Sequence, residues 1–113
     1  EVYTIEIKQL LHLRSTQTLQ SLGFINVSTR HGDGYYGWEE QAPFDAIMIT
    51  AAVGFIPQPL LEQLKEGGIM VLPLGNPFSY QSLVRVTKQK GEYRVEHITG
   101  VLFVPMTGKA QEL

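Results

Sequence analysis

The chain has 113 residues, 43% of them hydrophobic and 18% charged, with a formal net charge of −2. That is enough chain for one core, and the balance of apolar and charged residues excludes an intrinsically disordered polymer. Nine Lys and Arg against eleven Asp and Glu leave no basic footprint for nucleic acid, and the absence of Cys removes disulfides, thiolate metal sites and thiol nucleophiles together.

No apolar run reaches the ~18 residues of a membrane span, and no basic-then-apolar leader is present. The expectation is a soluble, cytoplasmic protein without a membrane partner.

Val2–Ile5 reads as a buried parallel strand that runs into a carboxylate, Glu6. In nucleotide-binding α/β folds, an acid at the carboxyl end of the second strand faces the ribose hydroxyls of a cofactor. A helix N-terminal charge or an exposed loop carboxylate are the competing readings. A second strand follows a first strand, a glycine-rich turn and a helix, so the sequence reads as the back portion of a larger enzyme. Residues 9–22 predict a helix with Leu11, Ser15, Thr18, Leu19 and Leu22 along one face and Gly23 placed to stop it. Phe24–Arg30 predicts the next strand, with Ile25 and Val27 as its apolar side, and a loop rich in Gly and aromatics runs from His31 to Pro43.

Phe44–Ile49 is the clearest strand, a nearly unbroken apolar run as expected of a strand covered on both faces. Pro57 and Pro59 suit the first turn of a short helix through Leu60, Leu61 and Leu64. Gly67-Gly68 is expected to end that helix and launch Ile69–Leu72. A polar loop with Pro77 and Ser79 leads to Ser82–Thr87, which a Lys88–Glu92 turn joins to Tyr93–Ile98 as a hairpin. Val101–Val104 extends or follows that strand, and the last residues read as a loose tail. The order β-α-β-β-α-β followed by a ribbon implies a mainly parallel sheet with antiparallel strands at one edge.

Gly32-Asp-Gly34-Tyr-Tyr-Gly37 matches G-x-G-x-x-G. A dinucleotide fingerprint of that form needs a strand before it, a helix directly after it and an acid about 20 residues further on. Trp38–Pro43 is too short and too proline-limited for the helix, so the run reads as a glycine-rich turn. It can still wall a cofactor, because Asp33 lies at the carboxyl end of a strand, where open α/β sheets bind ligands. Thr50-Ala51-Ala52 follows the third strand at that edge, small enough for close approach of a ligand or for a tight turn. Among the histidines, His31 lies near Asp33 but lacks a third metal ligand. No serine occupies a G-x-S-x-G elbow. Tyr35, Tyr36 and Trp38 can stack on a base or simply pack.

Taken in order, Val2–Ile7, Leu22–Val27, His31–Trp38, Ala42–Ile47, Thr50–Ala52, Leu61–Lys65, Gly67-Gly68 and Phe103–Gly108 resemble the protein-L-isoaspartate (D-aspartate) O-methyltransferase family. The resemblance covers nearly the whole chain but about the rear half of a family member. It implies an α/β, class I S-adenosylmethionine-dependent methyltransferase fold: a Rossmann-like, mostly parallel sheet, here partial, with a C-terminal antiparallel β-ribbon. Residues 1–113 would form the C-terminal part of a single methyltransferase domain, without its first strand, glycine-rich loop and N-terminal substrate segment.

The resemblance also implies roles. Glu6 would accept the ribose hydroxyls, Asp33 would hold the adenine through its side chain and Gly34 through its backbone. Thr50 to Ala52 would line the pocket near the reacting methyl, and Thr107 would help close it, with Gln111 joining. The implied cofactor is S-adenosylmethionine, leaving S-adenosylhomocysteine, and the implied partners are isoaspartyl-containing proteins and peptides. Methylation of the free isoaspartyl carboxylate lets the ester collapse to a succinimide and reopen partly as aspartate, which is repair. No catalytic residue is assigned, since a carboxylate of ordinary pKa is already ionised at neutral pH. Unpaired amides at the centre of the sheet cost about 1–3 kcal/mol each, so this chain alone is expected to be strained, rearranged or oligomeric and unable to transfer methyl groups. The alternatives are a nicotinamide-dependent oxidoreductase, which shares the acid-ended second strand, and a non-catalytic methyltransferase-like binding module.

Overall fold

A computed structural model describes all of residues 1–113. Its elements are β1 (Val2–Glu6), α1 (Gln9–Ser21), β2 (Val27–His31), β3 (Phe44–Met48), α2 (Gln58–Gln63), β4 (Leu64–Gly75), β5 (Gln81–Gln89) and β6 (Glu92–Val101). The strands form two sheets. β1 and β2 pair in parallel, while β3-β4-β5-β6 form a second sheet in that order. Within it β3 and β4 are parallel, and β4, β5 and β6 run as an antiparallel meander. The expected parallel sheet with a terminal ribbon is present, but in two pieces: β1 and β3 each pair on one side only.

The core lies on the second sheet. Alternate residues of β4 and β5 point to one face, and Met70 pairs with Val86 as Leu72 pairs with Val84. All four are inaccessible to solvent. Leu60 and Leu61 of α2, with Leu64, Ile49 and Val53, complete the cluster. Pro57 immediately precedes α2 and Pro59 lies in its first turn, where a missing N–H is not needed for the helix. The helix stops at Gln63, and β4 begins before the two glycines rather than after them. Leu64 pairs with Phe44 and Ile69 with Ala46, so residues 65–68 bulge out of the ladder. A side chain on Gly68 would lie 2.7 Å from the Lys65 carbonyl and 3.1 Å from that of Asp45, and Gly67 has φ +81°. The glycines therefore shape a bulge inside the strand.

α1 ends as expected, with Gly23 left-handed at φ +80° just beyond Leu22. Its inward stripe differs from the predicted face. His12, Thr16 and Leu19 are half-buried, whereas Leu11 and Leu22 are exposed. A two-stranded sheet accepts one narrow stripe, and the Thr16 hydroxyl bonded to the Thr29 hydroxyl at 2.9 Å sets the rotation of the helix. β2 starts later than predicted. Phe24 and Asn26 close the turn instead, through Phe24 N–H to the Leu19 carbonyl and Val2 N–H to that of Asn26. Ile25 is consequently 97% exposed and not part of an apolar side.

β3 is not covered on both faces. Met48 is 73% exposed, and Asp45 and Ala46 are exposed with it. An apolar run matches this strand, but burial needs a second neighbour, and its far edge carries none. The hairpin holds as a two-residue turn, Lys90 and Gly91 both at positive φ. The Glu66 carboxylate accepts from the N–H groups of Lys90 and Gly91, tying that turn to the β4 bulge. The tail is anchored rather than loose: Ala52 N–H donates to the Val104 carbonyl at 2.7 Å, and Met106 N–H to that of Ala52 at 2.8 Å. No helix is long and apolar enough to cross a membrane.

Candidate cofactor-binding site

Glu6 and Asp33 leave the same edge of the first sheet. Glu6 is in register with His31, and Gly32 N–H donates to the Glu6 carbonyl at 3.1 Å. Asp33 follows at once. The Glu6 carboxylate accepts only the Lys8 N–H, at 3.3 Å, which leaves most of its lone pairs open.

Asp33 is extended at φ −88° and caps the short 3-10 turn Gly34–Tyr36 by accepting Tyr35 N–H at 3.0 Å on Oδ1. Its other oxygen, Oδ2, accepts the backbone N–H of Lys109 at 2.8 Å. The C-terminal tail is thereby drawn across the strand ends. A side chain on Gly34 would lie 3.3 Å from the Met106 methyl, and one on Gly108 would lie 2.5 Å from Asp33 Oδ2 and 2.8 Å from Ile7 Cδ1. Thr107 lies between Met106 and Gly108 in the chain and is half-buried.

Thr50 is exposed two residues beyond β3, and Ala52, 1% exposed, carries the two tail hydrogen bonds. The tail thus runs from Ala52, in the segment after β3, to Asp33, just after β2. It hydrogen-bonds to Ala52 and to Asp33, and its Met106 methyl lies against Gly34.

The aromatic residues of the loop divide. Trp38 packs, its ring edge-on to Tyr3 at 5.3 Å between centroids with the Arg30 guanidinium 5.2 Å from its own. Tyr3 reaches on to Phe44 at 5.8 Å. Tyr36 stays exposed against Tyr35. The G-x-G-x-x-G run opens no helix, only the three-residue turn Glu39–Gln41. The His31 ring nitrogen Nε2 lies 3.0 Å from the Ile7 carbonyl, and no three potential ligands gather for a metal. On the meander, the Arg85 hydrogen bond and charge, with Arg94 beside them, hold the Glu96 carboxyl below the usual carboxylate range.

Sequence reasoning missed Gln63. Its Oε1 accepts Trp38 N–H at 2.9 Å and its Nε2 donates to the Tyr36 carbonyl at 2.8 Å. A glutamine ending a short helix looks like a solvent residue. The only local hint is Gly37, where a side chain would collide with the Gln63 amide and come within 2.7 Å of Leu60.

A parallel β-α-β unit with an acid at its strand end is joined to a second α/β unit that closes in an antiparallel meander, and its superposition on solved relatives gives the class I S-adenosylmethionine-dependent methyltransferase fold. A solved protein-L-isoaspartate O-methyltransferase superposes with a TM-score of 0.89 at 28% identity, covering 96% of this chain and 35% of that one. A crystal structure from Plasmodium falciparum, described as a protein-L-isoaspartate O-methyltransferase in complex with S-adenosyl-L-homocysteine, gives 0.80 at 25% identity over 94% and 52% of the two chains. The family model described as protein-L-isoaspartate(D-aspartate) O-methyltransferase matches residues 1–111, and the chain belongs to that family. Protein-L-isoaspartate O-methyltransferase 2 of Shewanella sediminis is 64% identical over 97% of this chain and 45% of its own length. Its namesake from Polaromonas sp. is 53% identical over 96% and 52%. The chain spans about half the length of the curated relatives it matches.

Proposed function

We propose that these residues form the rear part of a cytoplasmic, S-adenosylmethionine-dependent protein-L-isoaspartate O-methyltransferase acting on isoaspartyl residues of damaged proteins and peptides. The observation that carries the reading is the Asp33–Lys109 hydrogen bond, which closes the tail over the edge where Glu6 and Asp33 emerge. Family membership supports it against a nicotinamide-dependent oxidoreductase. In this reading the unpaired edges of β1 and β3 are where a further parallel strand of the full domain pairs.

The donor set suits an adenosine. Glu6 keeps acceptor capacity for two ribose hydroxyls, and each Asp33 oxygen has one protein donor and a lone pair to spare for an exocyclic amine. Gly34 leaves its backbone open to the ring, Met106 covers that end, and Thr107, the next residue, would help close it. When bound, S-adenosylmethionine would supply an electrophilic methyl to the substrate carboxylate, with S-adenosylhomocysteine as the leaving group. Thr50 to Ala52 border the second sheet, where small side chains admit the peptide carboxylate. This chain's residues then align and exclude water, effects that account for about 7–11 kcal/mol in well-oriented reactions.

Calorimetric titration of the full-length protein with S-adenosylmethionine, S-adenosylhomocysteine and NAD tests the cofactor. Labelled-methyl transfer to paired isoaspartyl and aspartyl peptides tests the substrate. The expected result is binding of the two sulfur compounds, no binding of NAD and labelling of the isoaspartyl peptide alone. Residues 1–113 by themselves are expected to transfer nothing. Binding of NAD in place of the methyl donor overturns the proposal.

A further inference from the structure

We infer that Gln63 is a positioning residue for the cofactor site, holding the adenine loop Asp33–Trp38 in register with the second sheet; this rests on the cofactor reading above. No backbone–backbone hydrogen bond joins residues 1–43 to residues 44–113. The hydrogen bonds that cross are those of Trp38 N–H and the Tyr36 carbonyl to the Gln63 amide, and of Lys109 N–H to Asp33. Gln63 supplies two of the three.

The chemistry needs an amide. The loop presents a donor, Trp38 N–H, and an acceptor, the Tyr36 carbonyl, on either side of Gly37. A primary amide satisfies both at once, an apolar side chain neither and a carboxylate only the first. Gln63 is 7% exposed, one of two buried polar side chains, and it stands between Leu61 and Leu64 of the core. Its position is therefore that of α2 and β4. Gly37, at φ +64°, lets the loop pass close over the amide. The loop is held at its first residue by the Asp33 cap and at its last by Gln63. Asp33 is the first of these fixings and Gly34 lies between them, so the adenine end of the site is referenced to the sheet from which the Thr50–Ala52 segment leaves.

The test compares wild type with Gln63→Met, which keeps length and bulk but removes both hydrogen bonds, and with Gln63→Glu, which keeps the acceptor for Trp38. All are made in the full-length protein, with folding checked by circular dichroism. Gln63→Met is expected to raise the Kd for S-adenosylhomocysteine and the KM for S-adenosylmethionine about tenfold, a net hydrogen bond's worth, and to leave kcat at saturation within about twofold. Gln63→Glu is expected to fall between the two. A folded Gln63→Met with wild-type Kd overturns the inference while wild-type binding upholds the cofactor reading. Failure of wild type to bind sinks both.

Should Gln63→Met not fold, wild-type amide exchange decides. Coupling is reciprocal, so saturating S-adenosylhomocysteine is expected to slow exchange of the Trp38 N–H about threefold or more. Unchanged exchange there overturns the inference.

Discussion

Lys109 donates its backbone N–H to Asp33 Oδ2 at 2.8 Å across 76 positions of sequence, while the other oxygen of the same carboxylate caps the turn at Tyr35. One side chain thus shapes the Asp33–Trp38 loop and fastens the tail over it. Asp33→Ala removes both. It is expected to destabilise the protein by about 1–2 kcal/mol, the scale of a lost cap, in urea unfolding. The Lys109 N–H is expected to exchange markedly faster, and wild-type exchange at Lys109 would refute the latch.

Gly108 is the residue that lets the tail approach. At φ +92°, ψ −143°, a side chain is strained by about 1–3 kcal/mol, and its Cβ would lie 2.5 Å from Asp33 Oδ2. Gly108→Ala is therefore expected to lift the tail. Calorimetry should show weaker binding of S-adenosylhomocysteine, while Gly91→Ala, in a turn with open space around it, costs stability alone.

Truncations on the second sheet should separate sharply by burial. Leu72→Ala, at a fully enclosed position of β4, is expected to cost about 2–5 kcal/mol. Met48→Ala, at the end of β3 and 73% exposed, is expected within about 0.5 kcal/mol of wild type. Equal losses in denaturant titrations would show that β3 is covered after all.

The Arg85–Glu96 pair, at 2.7 Å between register partners, sets one acid-side dependence. The Glu96 pKa is lowered in the folded state, so its contribution is present above the ordinary carboxylate pKa. It is lost as pH falls through the lower folded value. Glu96→Gln is thus expected to melt slightly below wild type at pH 7, with the gap closing in strong acid. The pair is exposed, so the effect is small. A gap that widens on acidification contradicts this sign.

What could be read in the sequence was what neighbours along the chain decide. Gly23 stops α1, Pro57 and Pro59 start α2, and Lys90-Gly91 turns the hairpin, each for reasons contained within a few residues. The acid ending β1 and the acid after β2 could be placed at one edge because parallel pairing follows from the β-α-β order. The rest depended on distant partners. Leu11 and Leu22 satisfy the helical period as well as His12 and Leu19 do, and only the Thr16–Thr29 hydroxyl contact chooses between them. The apolar run of β3 matches a doubly covered strand, yet coverage requires neighbours that periodicity cannot count. Lys109 and Gln63 act through a main-chain N–H and an amide whose partners lie far away in sequence, so nothing local marks them.

Since so few polar ties cross from one sheet to the other, a molecule lodged between Glu6, Asp33 and Thr50 would itself become a rivet. In the proposed reading its adenosine would grip one sheet and its methyl end would border the other, so occupancy would brace the pair as a unit. Ligand stabilisation follows RT ln(1 + [L]/Kd), about 2.7 kcal/mol at a hundredfold excess over Kd. In this architecture that gain would be felt at the junction first, turning a two-piece scaffold into a single stiff body when the donor arrives.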